Sequence, residues 1–200
     1  MRRRPIHSFS SAAVLAGAAA IVLFLTPPLD AQRGATAGPP ATGERAPDFS
    51  LATIDGAAVT LAGELARGPV VLIVGRGWVG YQCPFCTRQF GDFLRHAKDI
   101  EAADARVVWI YPGPADQVRQ RAQEATSGEP LPANFTVLLD PGYAFTAAWG
   151  LRWDAPNETA YPATFVIDRG GVVRFSLVSR THDGRATAAQ ALEALGATPK

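Results

Sequence analysis

The chain has 200 residues, 48% of them hydrophobic and 18% charged, a composition that fits one globular domain and excludes a disordered or long multidomain protein. Its 19 basic and 18 acidic side chains leave a formal net charge of +1, which gives no electrostatic basis for nucleic-acid binding. There are two cysteines, Cys83 and Cys86, too few for four zinc ligands or for stapling a small core.

Arg2, Arg3 and Arg4 precede an apolar run from Ala12 to Leu25, which Thr26-Pro27-Pro28 ends. A basic segment followed by an apolar one is the pattern of an export signal. As a helix the run spans about 21 Å, short of the roughly 30 Å hydrocarbon core of a bilayer. Residues 1–31 therefore read as a signal peptide cleaved after Ala31, or as a retained N-terminal membrane anchor. Either way the domain is expected to be exported, periplasmic or extracytoplasmic. No cysteine follows the apolar run, so a lipoprotein anchor is excluded. Residues 32–43, rich in Gly, Ala, Pro and Thr, read as a flexible linker, and the domain is expected over residues 44–197.

A short strand is expected around Asp48–Leu51. Val70–Val74 is continuously aliphatic, the mark of a strand buried on both faces. Phe90, Phe93, Leu94, Ala97 and Ile100 recur at helical spacing and predict one amphipathic helix from Pro84 to Ala103. Val107–Tyr111 is a second buried strand, so the unit closes as a right-handed crossover. A weaker helix over Ala115–Ala125, a strand over Phe135–Leu139 and a short helix over Tyr143–Trp149 follow. Thr164–Ile167, the turn Asp168-Arg169-Gly170-Gly171 and the alternating Val173, Phe175 and Leu177 form a hairpin. A helix from Arg185 to Leu195 closes the chain. The sum is an α/β fold with a central mixed β-sheet flanked by helices.

Cys83-Pro84-Phe85-Cys86 falls where the first buried strand meets the first long helix. Proline is tolerated at the first helical residue, because its missing N–H has no intrahelical partner, and this puts Cys83 at the N-cap. Unpaired N–H groups and the positive end of the helix dipole stabilise a thiolate there. Cys86 lies one turn further on the same side, so one cysteine attacks and the other resolves. A disulfide closing so short a loop would stabilise the fold weakly. A Cu(I)-binding or other non-catalytic module suits soft thiolates, but His96 and His182 have no ligand-like spacing to the pair and the only methionine is Met1. No Gly-rich loop marks a nucleotide site. Dithiol redox chemistry needs no metal, nucleotide or other cofactor.

These features resemble the thioredoxin-like superfamily: a strand, Cys-x-x-Cys at a helix start, and the later strand Tyr161-Pro162-Ala163-Thr164-Phe165-Val166-Ile167-Asp168. Ala46-Pro47-Asp48-Phe49-Ser50-Leu51 ahead of the first main strand is similar to the redoxin group, which holds the AhpC/TSA peroxiredoxins and the TlpA-like exported thiol-disulfide oxidoreductases. The resemblance implies a thioredoxin-like fold with Pro162 in cis beside the cysteines. A cis proline turns the preceding backbone, here Tyr161, toward an extended substrate chain. Cys83-Pro84 matches the attacking Cys-Pro of peroxiredoxins, and Arg76-Gly77 is similar to a subgroup with Arg-Gly ahead of Cys-Pro-x-Cys.

Two departures matter. Peroxiredoxins show Pro-x-x-x-Thr/Ser-x-x-Cys, whose hydroxyl and a later Arg hold the peroxide; this chain has Arg76 and Gly80 at those positions. Thioredoxins carry Trp before the first cysteine, and this chain carries Gln82. Arg76 is a candidate to stabilise the Cys83 thiolate or bind a peroxide oxygen. Trp78 and Tyr81 read as packing or as the floor on which a partner docks, His96 as a surface residue, and His182 as part of a turn. The expected function is a thiol-disulfide oxidoreductase, or alternatively a hydroperoxide reductase, with Cys83 attacking. Its partners are a disulfide-bearing protein or a hydroperoxide, and an external thiol reductant.

Overall fold

A computed structural model describes residues 38–126 and 130–196; the expected signal or anchor over residues 1–31 lies outside them. The strands are β1 Ser50–Thr53, β2 Ala58–Thr60, β3 Val70–Val74, β4 Arg106–Gly113, β5 Phe135–Pro141, β6 Ala163–Ile167 and β7 Val173–Val178. The helices are α1 Leu61–Leu65, α2 Pro84–Arg95, α3 Ala97–Ala102, α4 Val118–Ala125, α5 Ala144–Ala148 and α6 Ala188–Ala194. They build one mixed sheet in the order β2-β1-β5-β4-β3-β6-β7, with β3, β4 and β5 parallel and the remaining pairings antiparallel.

The aliphatic run of β3 is buried throughout, and strand alternation divides it between two layers. Val70, Leu72 and Val74 pack with Leu61, Phe145 and Trp149 on one face. Val71 and Ile73 pack with Phe93, Ile100, Val118 and Leu192 on the other. Full burial of such side chains stabilises the fold by about 1.5–3 kcal/mol each, so the central strands fix the sheet on which the site is mounted.

Four expectations differ from the structure. The helix expected over Pro84–Ala103 is two, α2 and α3, separated at His96 (φ −99°, ψ 10°). Asp92 O accepts the His96 backbone N–H at 3.3 Å and also lies 2.9 Å from the imidazole Nδ1, so the ring competes for a helical acceptor. His96 is accordingly half-buried. The last helix starts at Ala188, not Arg185, because Thr187 and Gln190 form a reciprocal capping box. Pro40 and Gly43, within the expected flexible linker, are laid against β7: Gly43 N donates to Val173 O at 2.8 Å and Ser176 Oγ to Pro40 O at 2.9 Å.

The fourth is Pro162, which is trans; no cis peptide bond occurs among the described residues. Pro162 stands just before β6, where an absent N–H removes no ladder bond. The backbone around it is already paired, Tyr161 N donating to Leu151 O and Ser179 N to Pro162 O, each at 2.8 Å.

Candidate active site

Strand β3 ends between two neighbours, with Val74 opposite Ile110 of β4 and Ala163 of β6. The loop from Gly75 to Gln82 is then clipped onto the end of β4, Trp78 N donating to Pro112 O at 3.1 Å. Gly77 makes this approach possible: its φ is +64°, and a Cβ there would fall 1.8 Å from the Pro112 carbonyl oxygen. The loop delivers Cys83 to the N-cap of α2, with Pro84 in the first turn. Thr87 N donates to Cys83 O at 3.1 Å and so opens the helix.

Both cysteines are free thiols, and Cys83 is only 1% exposed. Two guanidiniums face the sulfurs. Arg76 Nη1 donates to Cys83 Sγ at 3.9 Å and Arg185 Nη2 at 3.8 Å, while Arg185 Nη1 donates to Cys86 Sγ at 3.4 Å. The Arg76 backbone N–H reaches Cys86 Sγ at 3.3 Å. The Cys83 thiol is lowered to about 5. The largest cause is the Cys86 thiol donating to it; burial opposes, and the Cys86 backbone N–H, the Arg185 charge and Arg76 add to the lowering. The Cys86 thiol is pushed well up, first because its proton is held by Cys83 and second by burial. Cys83 thus carries the charge and Cys86 the proton.

Arg76 is itself 1% exposed. Its Nη2 lies 2.7 Å from Glu158 Oε2, with Nε donating to the same oxygen at 3.0 Å. Nη2 also donates to Asn157 O at 3.0 Å, and Nη1 to Tyr81 Oη at 3.2 Å. Burial works against its charge, but Tyr81, Cys83 and Glu158 outweigh it and hold the guanidinium protonated. His182 Nε2 lies 2.8 Å from the other Glu158 oxygen, and Arg185 Nε donates to His182 O at 2.8 Å. Arg185 Nη1 donates at 3.1 Å to Gln89, a buried side chain on α2. One hydrogen-bonded set therefore runs from His182 through Glu158 and Arg76 to the thiolate, and back through Arg185.

Of the sequence candidates, Cys83, Cys86 and Arg76 come together. Tyr161 and Pro162 stand beside the same end of the sheet, but among the described residues no hydrogen bond joins them to either sulfur. The Tyr161 ring stacks on Trp153 with centroids 4.7 Å apart. Trp78 packs against the core layer that holds Phe93 and Trp109 and lies under Arg121, whose Cζ is 4.1 Å from the ring centroid. The sequence alone carries no mark of Arg185, Glu158 or the Tyr81 hydroxyl as groups of the site, and His182 reads in it only as part of a turn. Arg185 lies 102 residues beyond Cys83, so no local spacing links them. The one available signal was the later arginine of the peroxiredoxin pattern.

A thiolate held at a helix start, with a second thiol one turn away on a thioredoxin-like α/β sheet, is the equipment of a thiol redox protein. The chain belongs to the Redoxin family, whose model matches residues 41–194. A Mycobacterium tuberculosis protein that bears a peroxiredoxin name is 28% identical over 136 residues, covering 66% of this chain and 80% of that protein. Peroxiredoxin Q, chloroplastic, from Oryza sativa subsp. japonica is 30% identical over 133 residues, covering 66% and 57%. Among solved structures, peroxidoxin BcpB from M. tuberculosis superposes with a TM-score of 0.62 at 24% identity, covering 78% of this chain and 97% of that one. A Chlorobium tepidum protein described as a DsbE thiol:disulfide interchange protein gives 0.58 at 26%, covering 78% and 99%.

Proposed function

We propose that this chain is a thiol-dependent hydroperoxide reductase in which Cys83 attacks and Cys86 resolves. The observation that carries the reading is the Cys83 sulfur, 1% exposed and flanked by guanidinium nitrogens of Arg76 and Arg185 at 3.9 and 3.8 Å. A hydroperoxide is small enough to reach such a sulfur. A disulfide in a folded polypeptide needs in-line access to it, and the Tyr161 N–H that could pair with such a chain is bonded to Leu151 O.

The Cys83 thiolate attacks the distal peroxide oxygen; an S–O bond forms, the O–O bond breaks, and the alkoxide or hydroxide leaves with a proton. Sulfur is oxidised by two electrons and the peroxide is reduced. Once Cys83 is a neutral sulfenic acid it no longer holds the Cys86 proton, and Arg185 Nη1, 3.4 Å away, favours the Cys86 thiolate. Cys86 attacks the Cys83 sulfur, forming the disulfide and releasing water. Two thiols of an external reductant restore the dithiol.

Thiol-disulfide exchange is the second reading, favoured by the Cys-x-x-Cys spacing at the helix start. Turnover with hydrogen peroxide and an external dithiol separates the two. The proposal expects peroxide consumption that Cys83→Ser abolishes, and in Cys86→Ser a Cys83 sulfenic acid that dimedone traps. A protein that reduces insulin disulfides yet leaves peroxide untouched would replace it with the second reading.

A further inference from the structure

We infer that Tyr81 is a catalytic residue of this chain, its hydroxyl donating a proton to the peroxide oxygen that leaves as Cys83 attacks. The inference rests on the hydroperoxide reading above and names a group that the reading lacks. The peroxiredoxin hydroxyl would fall at Gly80, where φ is +101°. Thr or Ser rarely adopts that backbone, so the pattern is not restored there by a simple exchange.

The structure brings a different hydroxyl to the guanidinium that faces the sulfur. Arg76 Nη1 is shared between Tyr81 Oη at 3.2 Å and Cys83 Sγ at 3.9 Å, so sulfur and hydroxyl flank one cationic nitrogen. A two-oxygen substrate on that nitrogen has its distal oxygen toward the sulfur and its second oxygen toward the hydroxyl. Tyr81 accepts from Arg76 and has no acceptor for its own proton among the described residues, which leaves that proton available to substrate.

Tyr81 also reaches solvent: it is 48% exposed, while Cys83 is buried. The small loop that carries it is held in place: Trp78 and Gln82 form an antiparallel bridge, and Gln82 is bonded to Arg121 O and Tyr111 Oη at 2.9 Å each. In the reaction the tyrosine O–H bond breaks as the O–H of the leaving alcohol or water forms, Cys83 is left as the neutral sulfenic acid, and solvent returns a proton to the phenolate.

The test is Tyr81→Phe, which keeps the ring, sits at a half-exposed position and removes one oxygen. Two quantities are read on the reduced protein: the stopped-flow rate of Cys83 oxidation by hydrogen peroxide, and the pH midpoint of the Cys83 thiolate from its ultraviolet absorbance. Loss of a proton donor is expected to slow oxidation about 10- to 100-fold with the thiolate midpoint unchanged. A role limited to propping Arg76 would instead move the midpoint along with the rate, and would overturn the assignment. A variant within twofold of wild type overturns it too, provided wild type is fast. If wild type oxidises no faster than a free thiol, the hydroperoxide reading itself fails and takes this inference with it.

Discussion

At Cys83 the charge state follows from the neighbours that hydrogen-bond the sulfur. An ordinary cysteine is mostly protonated at neutral pH, with a pKa of about 8.5. The Cys86 thiol, the helix-start N–H, Arg185 and Arg76 together lower Cys83 to about 5 against the opposition of burial. The sign for stability follows. A depressed folded pKa favours the folded state, fully above the ordinary thiol value, and that contribution fades as pH falls from about 8.5 through about 5. Thiolate absorbance of the reduced protein is therefore expected to rise with a midpoint near 5 and stay flat from about pH 6 to 8. A midpoint near 8.5 would mean that neither the Cys86 thiol nor the two guanidiniums act on the sulfur. The same local logic explains what the residue pattern showed and what it hid. Cys-Pro-Phe-Cys at a helix start announces itself in four letters. The Glu158 carboxylate that holds Arg76 stands 82 residues away in a loop, and only the folded chain pairs them.

At the scale of elements, the buried strands were legible because five successive aliphatic residues admit few other interpretations, as at Val70–Val74. The hairpin of β6 and β7 was legible from alternation bounded by a glycine turn. The β2 strand and α1 helix, three and five residues long, show no period in the sequence that marks them. The break at His96 was missed because it arises from a ring competing with the backbone, which hydrophobic spacing does not report. The late start of α6 has a functional consequence: Thr187 caps the helix, and Arg185 is left in the approach loop where it can reach both sulfurs. Gly77 lets the site loop lie against β4. Its replacement by Ala puts a methyl carbon into the Pro112 carbonyl and a side chain at φ +64°. A loss of about 2 kcal/mol or more in unfolding free energy, with a raised Cys83 midpoint, is expected from denaturant melts and thiolate titration. Wild-type stability together with a wild-type midpoint would show that the loop is not clipped to β4 as described.

At the scale of the whole molecule, the sheet gathers four separate stretches at one end. Arg76 and Tyr81 come from the loop after β3, the cysteines from α2, Glu158 from the segment before β6, and His182 and Arg185 from the approach to α6. Each contributes a group that is weak alone. The buried Arg76 guanidinium without Glu158 would lose its carboxylate partner, at a cost of about 3–5 kcal/mol. This pairing makes the thiolate pocket part of the fold and not a surface decoration. A near-neutral chain with two cysteines thus concentrates its electrostatics on one sulfur. The central claim, that this sulfur is built to react with a hydroperoxide, is tested most directly by single-turnover stopped-flow mixing of the reduced protein with hydrogen peroxide. Preorganised guanidinium donors are expected to make Cys83 oxidise at least about 100- to 1,000-fold faster than a fully ionised free thiol. A rate within a few-fold of the free thiolate would contradict it.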